Sequence, residues 1–380
     1  MFEELRRFCD SFLEAGFEAP GFDLVIFERG KCVLRYRNGY SDLENRIPMS
    51  GKERFNIYSC SKVITVTAAM RLWEKGLFSL EDRLSRYMPE FEKMYVRTAE
   101  GVRPAEKPIL IRHLFEMTAG FSYDTETQAL TALREDTGGR CPTREAMKYL
   151  AQDPLLFEPG EGWKYGLSHD VLAALVEVLA DERFEEHIRR TIFEPTGMPR
   201  STFLLPEEEL KTVAPQYRFQ EGKAENIGPQ ISKYKLGSEY ASGGAGAVST
   251  VDEYIRFLEG LRTGAFLKPE TVALMTKNRL TPAQTESYHR QLSSNRHHGY
   301  GLGLRTPGPE PVYSDFGWAG AAGAFLAIEP EKEMSMYFGT HFMSSPFKKH
   351  RPLLFRLARA EMFDPADLAA AREEIRSLSA

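Results

Sequence analysis

Phe55-Asn-Ile-Tyr-Ser-Cys-Ser-Lys62, running on into Val63-Ile-Thr-Val-Thr-Ala-Ala-Met-Arg-Leu-Trp-Glu-Lys75, is the stretch from which the architecture of this chain can be worked out. From Ser61 onward it reads as a helix, closed by Gly76 as a C-cap. Its apolar residues cover more than one face, which predicts a helix buried within the protein rather than lying on its surface. Ser59 and Lys62 are three residues apart, about one helical turn, so hydroxyl and amine rise on the same face. A serine hydroxyl is a weak nucleophile until a neighbouring base takes its proton, and a desolvated lysine of lowered pKa can be that base. The helix N-terminus adds unsatisfied N–H groups where an oxyanion would develop. Alone, the same four residues also fit a helix-capping serine followed by a surface lysine.

The surroundings supply context. Apolar residues at helical spacing (Phe2, Leu5, Phe8, Phe12, Leu13) predict a first helix over 2–16. Phe22-Asp-Leu-Val-Ile-Phe27 and Lys31-Cys-Val-Leu-Arg-Tyr36 flank Glu28-Arg-Gly30 as strands flank a hairpin turn. Residues 80–230 are mostly helical segments and Pro/Gly-containing loops. Strands return over 311–316, 322–328 and 334–340, followed by a helix over 347–363 and a surface helix in the tail from Asp364 to Ala380. Strand-rich ends around a helical middle imply an α+β fold: an antiparallel sheet flanked by helices. Residues 1–80 and 231–380 form one discontinuous domain, and a mostly helical domain of 81–230 is inserted in it. A cleft between the halves is where a pocket is expected.

Composition narrows the partners. With 380 residues, 42% hydrophobic and 27% charged, the chain can bury one large core or two packed ones. A formal net charge of −5 leaves no cationic surplus for a phosphate backbone or an anionic membrane, so no nucleic-acid partner is expected. The opening Met1-Phe-Glu-Glu-Leu-Arg-Arg-Phe-Cys-Asp10 is not a signal peptide. No run approaches the roughly 18 apolar residues of a spanning helix. The four cysteines form no CxxC pair, and reduced thiols and a cytoplasmic protein are expected.

Further landmarks are Gly39-Tyr-Ser-Asp-Leu-Glu-Asn-Arg-Ile-Pro-Met49, Lys75-Gly-Leu-Phe-Ser-Leu-Glu-Asp-Arg-Leu-Ser-Arg-Tyr-Met-Pro89, Ile111-Arg-His-Leu-Phe-Glu-Met-Thr-Ala-Gly120, Ser242-Gly-Gly-Ala-Gly-Ala-Val-Ser-Thr250 and Tyr300-Gly-Leu-Gly-Leu304. With Ser59-x-x-Lys62, this text resembles the serine β-lactamase and penicillin-binding-protein superfamily, particularly its class C-like esterases and D-peptidases. The landmarks keep the family's order from about residue 21 to 345. The resemblance implies a β-lactamase/transpeptidase-like fold and an acyl-enzyme on Ser59.

The family's second motif, Tyr-x-Asn, corresponds to Tyr165-Gly-Leu167, so Tyr165 is implied to share the proton traffic of Ser59 and the leaving group. Leu167 replaces the amide that in lactamases helps bind an acylamino group. The third motif, often Lys-Thr-Gly, corresponds to Trp318-Ala319-Gly320, a variant found in esterase-type members. Here the resemblance implies a substrate-binding strand edge, with the backbone N–H of Ala321 joining that of Ser59 in the oxyanion hole. An indole in place of a cation favours a neutral, apolar substrate over a carboxylate.

Other chemistries lack their signatures. Ser168-His169-Asp170 spells a triad, but consecutive side chains project in different directions and cannot act in series. There is no HExxH, so no metal is expected; no GxxxxGK[ST] or strand-anchored GxGxxG, so no nucleotide cradle; and no GxSxG elbow. Cys60 reads as a small packed residue. The expectation is a cofactor-free serine hydrolase acting on a small-molecule ester, amide or lactam, with an ester preferred. The alternatives are a β-lactamase or D-peptidase, and a non-catalytic binding protein on the same fold.

Overall fold

Val-, Ile- and Phe-rich runs from the two ends of the chain pair into one sheet in the computed structural model, which describes residues 1–14, 16–229 and 234–379. Its strands are β1 (Phe22–Glu28), β2 (Lys31–Asn38), β3 (Phe316–Ala319), β4 (Phe325–Glu329) and β5 (Met334–Thr340), in the order β3-β4-β5-β1-β2, all antiparallel. The central pair sets Phe22 against Thr340 and Val25 against Tyr337. Side chains alternate between faces. Leu24 and Ile26 pack with Phe338 under helices α1 (Glu3–Ser11) and α5 (Arg351–Phe363), whereas Val25, Leu326 and Tyr337 join the larger core on the other face.

That larger core is organised around α2 (Ser61–Glu74), which the sheet side and α3 (Ser168–Ala180) enclose. Every residue of α2 from Ser61 to Met70 is buried, as its all-round apolar pattern predicts. Gly76 closes it with a left-handed φ of 73° and an N–H bonded to Trp73 O at 2.8 Å. Helix α4 (Val251–Arg262) covers β1 and β5.

Several boundaries differ from the sequence reading. The run expected to be a strand over 311–316 starts as a 3-10 turn at Pro311–Tyr313, because proline brings no N–H to a ladder. The strand itself is Phe316–Ala319. Similarly, 321–324 forms a turn, with Gly320 N donating to Ala324 O at 2.8 Å, so β4 begins only at Phe325. The first helix is shorter than 2–16, and the last long one begins at Arg351 after a 3-10 turn. The middle of the chain also holds strands. Tyr95–Thr98 pairs with Gly101–Pro104, and Gln216–Gln220 pairs with Lys223–Gly228 and, in parallel, with Phe342–Met343. Among the described residues no helix is long and apolar enough to cross a membrane, and all four cysteines are free.

Arg305 fixes the start of β3. It is 1% exposed; its guanidinium pairs with buried Asp315 and lies 5.0 Å from the ring centroid of Phe325. Its backbone exchanges two hydrogen bonds with Gly317, of 2.9 and 3.1 Å. Removing one member of a buried pair strands the other charge at a cost of about 3–5 kcal/mol. Arg305→Met is therefore expected to lower the unfolding free energy in urea by that order, and a loss below ~1 kcal/mol would mean that Asp315 is not held as an ion.

Candidate active site

Just before α2 the chain makes a 3-10 turn, Tyr58–Cys60, entered through Tyr58 at φ 47°, a left-handed conformation that a tyrosine adopts only under constraint. The constraints are visible. The Tyr58 hydroxyl bonds Gln216 Oε1 at 2.5 Å, Ile57 N donates to Ala247 O at 3.0 Å, and Phe55–Asn56 pairs with Val248–Ser249. Ser59 stands half-buried on this turn, with α2 continuing beneath it.

Lys62, in the first turn of α2, is wholly buried. Its Nζ donates to Tyr123 Oη at 2.6 Å and Gly244 O at 2.7 Å, and lies 3.4 Å from Ser59 Oγ. It also sits 4.7 Å from the ring centroid of Tyr165 and 5.3 Å from that of Tyr123. No carboxylate of the described residues forms an ion pair with it. Burial drives its pKa down to about 7, against the opposing pull of Asp170 and Cys60.

Tyr165, on the loop before α3, accepts the Trp318 indole N–H at 3.2 Å and stands near enough to the Ser59 hydroxyl for that group to favour its ionised form. Burial pushes its pKa above the usual phenol value, so at neutral pH it is a phenol. Within the trio of Ser59, Lys62 and Tyr165, the amine is the group that can be deprotonated near neutrality.

The opposite wall is the end of β3. Trp318 is buried between Tyr165 and Tyr300. Gly320 is needed because a Cβ there would stand 2.5 Å from Ile57 O, so only glycine lets this edge approach the Ser59 turn. Ala319 is half-buried and Ala321 exposed, and no acceptor among the described residues takes the Ala321 N–H. Arg351, reaching from α5, holds the turn by donating to Gly320 O at 2.6 Å and Ala324 O at 3.3 Å.

Ser59, Lys62, Tyr165, Trp318 and Gly320 thus converge from segments remote in the chain. Leu167, expected to touch substrate, instead has 1% of its surface exposed; it packs into the core at the start of α3 and offers a substrate almost nothing. Two contacts of Lys62 were not foreseen, Tyr123 and Gly244. The signal available for Tyr123 was an aromatic residue just past Gly120, the end of the Ile111–Gly120 landmark. His169 bonds Phe115 O through Nε2 at 3.3 Å, and burial lowers its pKa to about 3, so it stays neutral and forms no triad. Among the described residues no cluster of His, Cys, Asp and Glu is arranged to hold a metal.

Residues 9–359 match the protein family described as Beta-lactamase, and the chain belongs to that family. That family is one of β-lactamase-fold serine hydrolases. Among curated relatives, Esterase EstB of Burkholderia gladioli is 28% identical over 66% of this chain and 67% of its own. Acyltransferase calJ of Penicillium decumbens is 25% identical over 89% and 87%. Among solved structures, EstCE1, described as a hydrolase with promiscuous acyltransferase activity, shares the fold with a TM-score of 0.75 at 24% identity, covering 93% of this chain and 97% of that one.

The depressed Lys62 pKa has a stability consequence. Between about pH 7 and the ordinary lysine value of 10.5, the unfolded chain holds a proton at this position that the folded one lacks, so folding gains stability as pH rises through that window. Lys62→Met lacks the titration. Its unfolding free energy relative to wild type is expected to fall by a few kcal/mol from pH 7 to 10 in paired urea titrations, each pKa unit being about 1.4 kcal/mol. A constant difference would place the amine at its ordinary value.

Proposed function

We propose that the protein is a serine carboxylesterase that carries the acyl group of a small, neutral ester on Ser59. The observation that carries this reading is the buried Lys62 amine, 3.4 Å from the Ser59 hydroxyl and without a carboxylate of the described residues in contact with it. A neutral amine has two N–H donors and one lone pair. Gly244 O and Tyr123 Oη can take the two donors, which leaves the lone pair for the Ser59 proton.

The proposed cycle follows. Lys62 takes the proton of Ser59 as Oγ attacks the ester carbonyl, and the oxyanion rests on the N–H groups of Ser59 and Ala321. When the tetrahedral species collapses, Tyr165 gives its proton to the departing alkoxide and is reprotonated from Lys62. A water molecule then repeats the sequence on the acyl-enzyme and returns the acid with Ser59 restored. An alcohol in place of that water would transfer the acyl group instead, which is consistent with the names of EstCE1 and Acyltransferase calJ.

Trp318 favours esters over lactams. It brings an indole where lactam and peptide enzymes of the superfamily offer a cation, and its wall continues in Tyr165 and Tyr300. Esterase EstB, the relative named above, supports the same class.

Intact-mass analysis after fluorophosphonate treatment is expected to show one adduct on wild type and none on Ser59→Ala; an unlabelled, folded wild type would turn the reading towards a binding protein. The kcat/KM for p-nitrophenyl butyrate should exceed that for a chromogenic cephalosporin by at least about 100-fold, and the reverse preference would overturn the ester assignment. Lys62→Met should lower ester kcat/KM by about 10²–10⁴. Because the neutral amine is the active form, the wild-type rate should rise with pH through about 7 and level off above it.

A further inference from the structure

Asp170 lies in the first turn of α3, wholly buried. Its Oδ1 accepts the Ser242 hydroxyl at 2.6 Å, and that oxygen in turn accepts the Ala245 N–H at 3.0 Å. Its Oδ2 makes no full hydrogen bond; burial raises the carboxyl pKa above its ordinary value, and the Ser242 hydroxyl, Lys62, the Tyr240 hydroxyl and the Gly244 N–H oppose that shift by favouring the charged form. On the other side of Gly244 lies Lys62. A methyl group on Gly244 would be 2.5 Å from Asp170 Oδ2 and 3.3 Å from Lys62 Nζ. Carboxylate and amine therefore face each other across one glycine, within about 6 Å, a range over which an opposite charge moves a pKa measurably.

We propose that Asp170 is a positioning residue for Lys62. Through Ser242 it anchors the loop whose Gly244 carbonyl orients the amine, and its charge sets the pH at which the amine becomes a base. This inference rests on the reading of Lys62 as the base that activates Ser59.

Among the described residues, the groups around Lys62 leave Asp170 as the one carboxylic acid that acts on its charge. Ser59 and Cys60 face it from the turn, Tyr123 and Tyr165 from two loops, and His169 from α3, with Tyr240 beside Asp170. Burial keeps His169 neutral, the three phenols protonated and the Cys60 thiol up at about 12. A carboxylate here strengthens the amine's hold on its proton, and removing the charge leaves a weaker base that becomes neutral at lower pH.

The test is the pH dependence of the fluorophosphonate labelling rate of Ser59 in wild type, Asp170→Asn and Ser242→Ala. Asparagine keeps the acceptor for Ser242 and removes the charge, so the acid limb should move to lower pH by about one unit or more and the plateau should drop several-fold. Ser242→Ala keeps the charge and frees the loop, so its plateau should drop about tenfold, with the limb close to that of wild type. An Asp170→Asn limb that coincides with the wild-type limb overturns the inference, even where the plateau has fallen, because packing damage alone lowers a plateau. Should Asp170→Asn not fold, an undiminished Ser242→Ala plateau overturns it instead. A wild type that never labels removes the reading of Ser59, and this inference with it; a labelled wild type with an unmoved variant limb removes only the role of Asp170.

Discussion

An ammonium kept from water with no anion in contact is unstable, and a protein that buries one must either compensate it or let it lose its proton. Lys62 is held in that condition, and the neighbouring structure is arranged around it. The amine is desolvated because α2 is buried on all sides, between the sheet-side core and α3. It keeps partners because the Ser242–Ser249 loop enters between α2 and α3 closely enough for Gly244 O to reach it. A side chain at Gly244 would collide with Asp170 and crowd Lys62, so the glycine is set by the lysine's surroundings rather than by the turn.

The two ends of the chain meet at the same point. Hairpin β1–β2 and the three C-terminal strands form one sheet, whose edge strand β3 runs out at Trp318-Ala-Gly320 directly against the Ser59 turn. Arginines hold this edge at both ends. Arg305 locks the first residues of β3 through Gly317 and Asp315, and Arg351 clamps the turn after it through Gly320 and Ala324. Both arginines are buried. Their common effect is to fix the backbone that carries Ala321, which the oxyanion role proposed for its N–H requires, since such a contribution depends on being in place before charge develops.

Local patterns made some of this legible. Ser59 and Lys62 could be paired because a helical turn relates them whatever surrounds it, and the all-round apolar character of 61–72 announced a buried helix. Strands 22–28 and 334–340 were visible in their β-branched and aromatic content. What could not be read depends on distant partners. The hairpin over 216–228 looked like loop, and part of what holds it is distant: Phe342–Met343 pairs in parallel with Tyr217–Arg218 from more than a hundred residues later. Tyr123 meets Lys62 across 61 positions, and no spacing rule reports that. Leu167 was judged by its place in a motif, whereas its burial is decided by how α3 packs. Ser168-His169-Asp170 forms no triad, as its consecutive spacing required, but the spacing gave no sign that the aspartate faces the lysine across Gly244.

Trp318 determines how the proton work is divided in the proposed cycle. A cation beside Tyr165 would stabilise a phenolate and make the tyrosine a competing base. The indole supplies a neutral N–H at 3.2 Å, which orients the phenol oxygen without adding positive charge, and burial keeps its proton in place. The basic site near neutrality is then the amine, leaving the phenol to relay a proton between it and the leaving oxygen. The proposed substrate choice follows from the same substitution, because the group that would have drawn a carboxylate into the cleft is the group that would have acidified the phenol. One residue exchange, from cation to indole, thus bears on both halves of the proposal, the lysine base and the preference for uncharged esters.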